Sequence, residues 1–166
     1  MKQLFSILLI LFCTANIAFA KKMRIAIINF NADGVSKATA RRVSELIRTE
    51  MIKTKKYIVI ERNQMDKILK EQGFQQTGCT DVSCAVEIGK MLSARKILVG
   101  TVMRMDGSTI ITGRVVDVEK GVAEFSEDHN TRRTGIYRGA KIFARKLTNH
   151  ITGKTSSSSS YHSSSQ

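Results

Sequence analysis

Short apolar runs alternate with stretches of helical periodicity between residues 23 and 73. The run 23–30 is apolar and rich in β-branched residues, as in a buried strand, and the run 57–62 has the same character. Between them, Ser36 can cap a helix that ends near Lys53. The apolar residues of this helix recur on one face, namely Ala40, Val43, Ile47 and Met51. Strands separated by helices favour parallel pairing.

Two further helices are predicted before the chain returns to strands. The first covers 63–72, directs Met65, Ile68 and Leu69 inward, and has Gly73 just past its end. The second begins near Val82, where either Asp81 or Thr80 can act as the N-cap.

The second half of the chain predicts an antiparallel meander and a last helix. Strands at 95–105 and 109–119 flank the turn sequence Asp-Gly-Ser, and Lys120-Gly121 turns the chain into a third strand at 122–129. A helix near 134–152 has its apolar residues at helical spacing, namely Ile136, Ala140, Phe143, Leu147 and Ile151. We therefore predict a single α/β domain with a mixed β-sheet flanked by helices, in the order β-α-β-α-α-β-β-β-α.

Residues 1–20 have the layout of a secretory signal peptide. Lys2 provides a positive charge, an apolar run follows, and Ala18 to Ala20 form the small-x-small pattern of a cleavage site. Cleavage after Ala20 predicts an exported, periplasmic chain with a possible outer-membrane association. The alternatives are a retained N-terminal anchor and lipidation at Cys13, where the preceding Phe12 is bulkier than a lipidation motif prefers.

The rest of the chain divides into two parts. Residues 21–153 have the size and patterning of one α/β domain. Residues 154–166 are mostly serine, and because serine repeats cannot bury apolar area, we predict a disordered tail there.

The formal net charge of the chain is +13, which would ordinarily suggest nucleic acid as a partner. Export argues against nucleic acid and leaves anionic lipid or cell-wall polymer as the available polyanions. In the last predicted helix, Arg138, Lys141 and Arg145 share one face, and we predict that they contact an anionic surface. The same pattern also fits an ordinary solvated helix face.

Cys79 and Cys84 are the two cysteines that follow the predicted cleavage site. A zinc site would need two more ligands nearby, and the three histidines, His129, His150 and His162, lie far away in sequence. The spacing also differs from that of a C-x-x-C redox pair. In an exported chain these cysteines are most simply interpreted as one disulfide, whereas in a reducing compartment they would be buried thiols.

No other motif predicts catalysis or a cofactor. The sequence 148–155 ends like a phosphate-binding loop but lacks the required first glycine, strand and following helix. Glu61 and Arg62 could be catalytic charges, although such a pair more often serves a helix start or an ion pair. Asp106 and Asp117 lie in or near turns and are predicted to be solvated. We therefore expect no catalytic residues, no metal site and no cofactor.

Three segments resemble the CsgG-like family of envelope proteins: IAIINF at 25–30, the run from Val59 to Val102, and GRVVDVEKG at 113–121. The resemblance covers about residues 23–127, and its most specific part is 61–102. It implies a fold similar to that of the amino-terminal domain of TolB and of the penicillin-binding-protein activator LpoB. It also implies a domain of the periplasm or outer membrane that acts by binding.

Three hypotheses of function follow. The first is a non-enzymatic periplasmic interaction domain, accessory to cell-envelope assembly or secretion, with an envelope protein of unknown identity as its partner. The second is a homo-oligomeric subunit of a CsgG-like outer-membrane export complex. The third, ranked below both, is an enzyme that uses Cys79 or Cys84.

Overall fold

The computed structural model describes residues 22–74, 81–132 and 134–152. The helices and strands in chain order are β1 (Arg24–Ile27), β2 (Asn31–Asp33), α1 (Lys37–Lys53), β3 (Ile58–Val59), α2 (Arg62–Glu71), α3 (Val82–Met91), β4 (Lys96–Met105), β5 (Ser108–Asp117), β6 (Val122–Asn130) and α4 (Gly135–Ile151). This confirms the predicted mixed α/β domain and its order, with β2 as an additional short strand where a loop was expected. The predicted second strand, 57–62, is shorter than expected and contains only Ile58–Val59.

The strands form one mixed sheet in the order β3-β1-β4-β5-β6, with β2 also paired to β4. β1 is parallel to both β3 and β4, and β2 is parallel to β4. β4, β5 and β6 form the predicted antiparallel meander. Asp106 and Gly107 make the two-residue turn between β4 and β5 with φ values of 48° and 71°, as a primed hairpin turn requires.

β1 and β2 both pair with β4, and the pairing is interrupted between them. Ile27 pairs with Leu98 and Asn31 pairs with Thr101, so the chain between these two pairs has one residue more than β4 has. The residues that face α1 therefore change from odd numbers (Ile25, Ile27) to even numbers (Phe30, Ala32) across the interruption. A single extra residue has this effect because side chains alternate faces with a period of two.

Polar side chains of α1 bond to the backbone at this interruption. The N–H of Phe30 donates to Ser44 Oγ at 2.8 Å, and Arg48 donates to the carbonyl of Ile27. Ser44 is fully buried and Arg48 is 2% exposed, so both occupy the core side of α1. They supply partners for backbone groups next to the interruption, since buried backbone polar groups need a partner.

Helices cover both faces of the sheet and enclose two apolar clusters. α1 and α4 cover the first face and pack on the side chains of Ile25, Ile27, Leu98, Ile111 and Val115. α2 and α3 cover the second face and pack on Ala26, Ile97, Val99 and Val116. This three-layer arrangement explains why β1 and the start of β4 are apolar at successive positions, as is usual for strands buried on both faces.

Local sequence patterns determine the helix ends. The Ser36 side chain accepts from the N–H of Thr39 at 3.1 Å, and the Asp81 side chain accepts from the N–H of Cys84 at 2.8 Å. Gly73 follows α2 with a φ of 67°. The predicted inward residues of α1 are all buried, namely Ala40, Val43, Ile47 and Met51. Of the two predicted N-caps of α3, the structure has Asp81 in this role.

Candidate binding groove

α1 and α4 lie side by side on the first face of the sheet because both direct apolar stripes into the same cluster. Ile47 and Met51 from α1 and Phe143 and Leu147 from α4 are fully buried there. The buried hydroxyl of Tyr57 donates to the carbonyl of Thr148 at 3.1 Å, which joins the segment after α1 to the end of α4. Burial raises the pKa of Tyr57 to about 12. These contacts position the outer surfaces of both helices.

A groove of about 620 Å³ lies between these outer surfaces. Its residues come from the last turn of α1, the segment after it and α4. The lining residues are Glu50, Lys53, Thr54, Lys56, Arg138, Lys141, Ile142, Ala144, Arg145, Thr148 and Asn149. The size is within the range of ligand-binding clefts.

The predicted residues Arg138, Lys141 and Arg145 all line this groove. Lys53 and Lys56 join them from the opposite wall and were not predicted, because helical periodicity within one segment cannot show which other segment will pack beside it. The basic run at 53–56 was the available signal in the sequence. Contact with an anionic partner stays a prediction.

Glu50 is the one carboxylate among the described residues that line the groove. It accepts a hydrogen bond from Lys53 Nζ at 2.8 Å and lies 3.9 Å from Lys141 Nζ. The hydrogen bond from Lys53 is the main cause that holds the pKa of Glu50 below its usual value, against the opposing effect of partial burial. Glu50 is therefore already occupied by cations of the groove itself.

Lys141 lies at the centre of the basic wall. Its Nζ is 4.5 Å from the centroid of the Tyr137 ring, a cation–π geometry. Interaction with Tyr137 is the main cause that raises the pKa of Lys141, with a further contribution from the charge of Glu50. Tyr137 and Glu50 thus both favour the charged form of Lys141.

Cys79 lies outside the described residues, so its predicted disulfide with Cys84 stays a prediction. Cys84 lies in the first turn of α3 and packs against the second apolar cluster. Asp81 also accepts a hydrogen bond from the Ser83 hydroxyl at 2.5 Å. The predicted signal peptide, Cys13 and the tail at 154–166 also lie outside the described residues.

The prediction that Asp117 is solvated is wrong. Its side chain is fully buried at the end of β5, where Lys96 Nζ donates to Oδ2 at 2.8 Å. The N–H groups of Glu119 and Lys120 donate to Oδ1 at 3.0 and 2.8 Å. Asp106, in contrast, is exposed as predicted. The turn sequence alone did not reveal that the position before the turn faces the core.

Glu61 and Arg62 lie at the start of α2. Glu61 is the N-cap residue of α2. Arg62 lies 3.6 Å from Glu45 on α1 and 3.5 Å from Asp66 on its own helix. The pair therefore matches the interpretation as a helix start with ion pairs.

The described residues contain neither a cluster of metal ligands nor a membrane-spanning helix. Over 22–74, 81–132 and 134–152, no three side chains of His, Cys, Asp or Glu come together in a group that could hold a metal ion. In the same residues, no helix combines the length and apolar character needed to cross a membrane.

The fold and the groove define a small three-layer α/β domain with a basic surface cleft. The chain belongs to the family described as curli production assembly/transport component CsgG, whose model matches residues 16–132. This confirms the resemblance seen in the sequence. The comparison with curated proteins found no match.

Three solved structures with the same fold illustrate the likeness. The LpoB C-terminal domain from Escherichia coli is 14% identical with a TM-score of 0.55, over 66% of this chain and 82% of that chain. TolB from Acinetobacter baumannii is 13% identical with a TM-score of 0.56, over 80% of this chain and 29% of that one. Lipoprotein GNA1162 from Neisseria meningitidis is 14% identical with a TM-score of 0.54, over 79% and 94%. At these identities the likeness shows the fold alone.

Proposed function

We propose that this chain is a non-enzymatic interaction domain of the periplasm, accessory to cell-envelope assembly or secretion. The family match over residues 16–132 carries the proposal, since it covers every strand of the described sheet and names a component of assembly and transport. The fold also occurs in a protein named as a lipoprotein, GNA1162, which supports an envelope location for the proposed domain. In this proposal the domain acts by binding an envelope protein, and no catalytic group or cofactor takes part.

The proposed domain organisation places a cleaved signal peptide at 1–20, the α/β domain at 21–153 and a serine-rich tail at 154–166. The small-x-small pattern that ends at Ala20 supports the cleavage site.

Cell fractionation with intact-mass measurement and chemical crosslinking tests this proposal. The full-length chain is expected in the periplasmic fraction, with a mass that begins at Lys21 and a reproducible crosslink to an envelope protein. An Ala18→Arg/Ala20→Arg variant, in which the cleavage pattern is destroyed, should keep its full mass and lose the crosslink. An unprocessed wild-type chain in the cytoplasm, or a processed chain with no envelope crosslink, would contradict the proposal.

A second candidate is a homo-oligomeric subunit of a CsgG-like export complex in the outer membrane. One observation favours it: the PelC L103M protein from Paraburkholderia phytofirmans, a dodecamer, matches with a TM-score of 0.50 and 15% identity, over 77% of this chain and 87% of that chain. Light scattering after chromatography in detergent separates the two candidates. A ring-sized oligomer from the outer-membrane fraction supports the subunit, and a monomer that is soluble without detergent supports the accessory domain.

A further inference from the structure

We infer that the groove between α1 and α4 binds an acidic segment of a partner protein, with at least one apolar side chain of that segment on the groove floor. This inference rests on the proposed function, because it names the surface and the chemistry by which the domain would engage its envelope partner. It commits to a protein segment rather than to a lipid surface or a cell-wall polymer.

The charges of the groove are the first support. Five cationic side chains line it from two walls: Lys53, Lys56, Arg138, Lys141 and Arg145. Glu50 is the one carboxylate among the described lining residues, and it already bonds to a groove lysine. A surface with this imbalance attracts anions, and complementary charges direct such a partner into one orientation.

Several groove cations have no acidic partner within the described residues. Lys56, Arg138 and Arg145 form no ion pair there, whereas Lys146, on the neighbouring face of α4, pairs with Glu127 at 2.6 Å. On α4, a cation outside the groove is therefore paired with a carboxylate of β6, while the groove arginines remain available to a ligand. Arginine is also the side chain best suited to bind a carboxylate through two parallel hydrogen bonds.

The floor of the groove distinguishes a protein segment from a uniformly charged polymer. Ile142 lies half-buried on the floor between the basic positions, beside the buried Ala144 and Thr148. A polyanion such as polyphosphate would leave the exposed part of Ile142 in contact with water. A peptide that carries both carboxylates and apolar side chains can cover the floor and meet the rim at the same time.

The spacing of the arginines suits an extended segment. Arg138 and Arg145 are two helical turns apart, roughly 10 Å along the axis of α4. In a segment with the extended polyproline II conformation, residues three apart lie on the same face and are separated by about 9 Å. Two glutamates at that spacing can therefore reach both arginines, and an apolar residue between them can contact Ile142.

Fluorescence anisotropy with synthetic peptides tests the inference on the full chain. The probe is a short labelled peptide that contains repeats of glutamate, leucine and serine with glutamates three residues apart. Arg138→Gln/Arg145→Gln should weaken its binding by about tenfold. The matched control, Arg104→Gln/Arg114→Gln, removes the same charge from exposed positions on β4 and β5 and should change binding by less than about twofold. Equal weakening by both variants would overturn the site.

Variation of the ligand tests its chemistry. Replacement of the peptide leucines by serine should weaken binding although the charge is unchanged. Inorganic polyphosphate and vesicles of anionic phosphatidylglycerol should compete less well than the peptide at equal charge concentration. If the serine peptide binds equally well, or either competitor binds more tightly, the groove does not select an acidic protein segment and the inference fails.

Crosslinking in cells separates failure of this inference from failure of the proposed function. If the Arg138→Gln/Arg145→Gln variant, folded as judged by circular dichroism, keeps the envelope crosslink, the domain binds its partner through another surface. If the wild-type chain shows no envelope crosslink, the proposed function fails even where the purified groove binds the acidic peptide.

Discussion

Lys96 and Asp117 lie directly opposite each other on β4 and β5, and their buried side chains meet at 2.8 Å. Lys96 is 6% exposed and Asp117 is fully buried. Glu124 on β6 makes a second ion pair with Lys96, and Arg95 lies 3.6 Å from Asp117. The end of the meander is thus held by charges at a place where three strands run side by side.

Loss of Lys96 should destabilise the fold. Lys96→Met is expected to lower the free energy of unfolding by about 3 kcal/mol, because it leaves the buried Asp117 carboxylate without its main partner. Urea denaturation measures this loss. In an Asp117→Asn background the same change should cost clearly less, as for any directly coupled pair. Lys120→Met, which removes an exposed lysine 3.7 Å from Glu124, serves as a control and should cost less than about 1 kcal/mol. Equal effects of the two lysine variants would contradict the prediction.

Asp117 should also make the fold sensitive to acid. Burial alone would raise its pKa, but the hydrogen bonds from Lys96 and the Lys120 N–H, with the charges of Lys96 and Arg95, hold the pKa below its usual value. The stabilisation is therefore complete above the unfolded pKa, about 4, and is lost as pH falls through the lower folded pKa. Urea titrations between about pH 5 and pH 2 should show a shallower decline for Asp117→Asn than for wild type. Asp106→Asn, at an exposed turn position, should leave the slope unchanged.

Gly100 should not tolerate a side chain. A Cβ at this position would overlap the carbonyl oxygen of Thr112 and lie 2.6 Å from an edge atom of the Phe30 ring. Gly100→Ala is expected to cost about 1–3 kcal/mol, as overpacking usually does. Phe30→Leu should recover part of that loss when combined with it. Gly73→Ala, where the cost comes from a φ of 67° and no atom of the described residues lies within 4 Å of the added Cβ, should show no such recovery.

The buried hydroxyl of Tyr57 should influence stability in alkali. Its pKa is raised to about 12 by burial, so the folded state favours the protonated form. That preference is fully present below the unfolded pKa near 10 and is lost as pH rises from there towards 12. Tyr57→Phe should cost about 1 kcal/mol at neutral pH by loss of the bond to Thr148, and should decline less between about pH 10 and 12. Tyr137→Phe, at an exposed ring, should decline as wild type does.

Cys79 and Cys84 are predicted to form a disulfide in the exported protein. The intact mass after processing should be lower by two hydrogens, and alkylation should require prior reduction. Substitution of both by serine should cost about 2 kcal/mol, because the closed loop is short. Asp81→Ala, which removes only the α3 cap, should cost about 1 kcal/mol and leave the mass signature intact. Alkylation of the oxidised protein without reductant would contradict the bond.

Features set by neighbouring residues were predictable from the sequence. The cap at Ser36, the inward stripe of α1 and the hairpin at Asp106-Gly107 each depend on a few consecutive positions. The parallel start and antiparallel end of the sheet also followed, because they depend on the order of helices and strands.

Features set by contacts between distant segments were not predictable. The burial of Asp117 depends on Lys96, which is 21 residues away in sequence. The second wall of the groove, Lys53 and Lys56, is brought to Arg138 and Arg145 only by the packing of α1 on α4. The extra strand β2 was missed because the interruption at 28–30 reverses the alternation that a continuous strand would show.

The interruption between β1 and β2 also affects the orientation of α1. Ser44 and Arg48 bond to the backbone around it, and they stand on the same helix as Glu50 and Lys53. A rigid helix cannot turn about its axis while these bonds hold, so the direction in which Lys53 projects is determined from the opposite side of α1. The shape of an exposed basic cleft is thereby controlled by a one-residue irregularity in the protein interior, and substitutions far from the surface can alter how its cations are arranged.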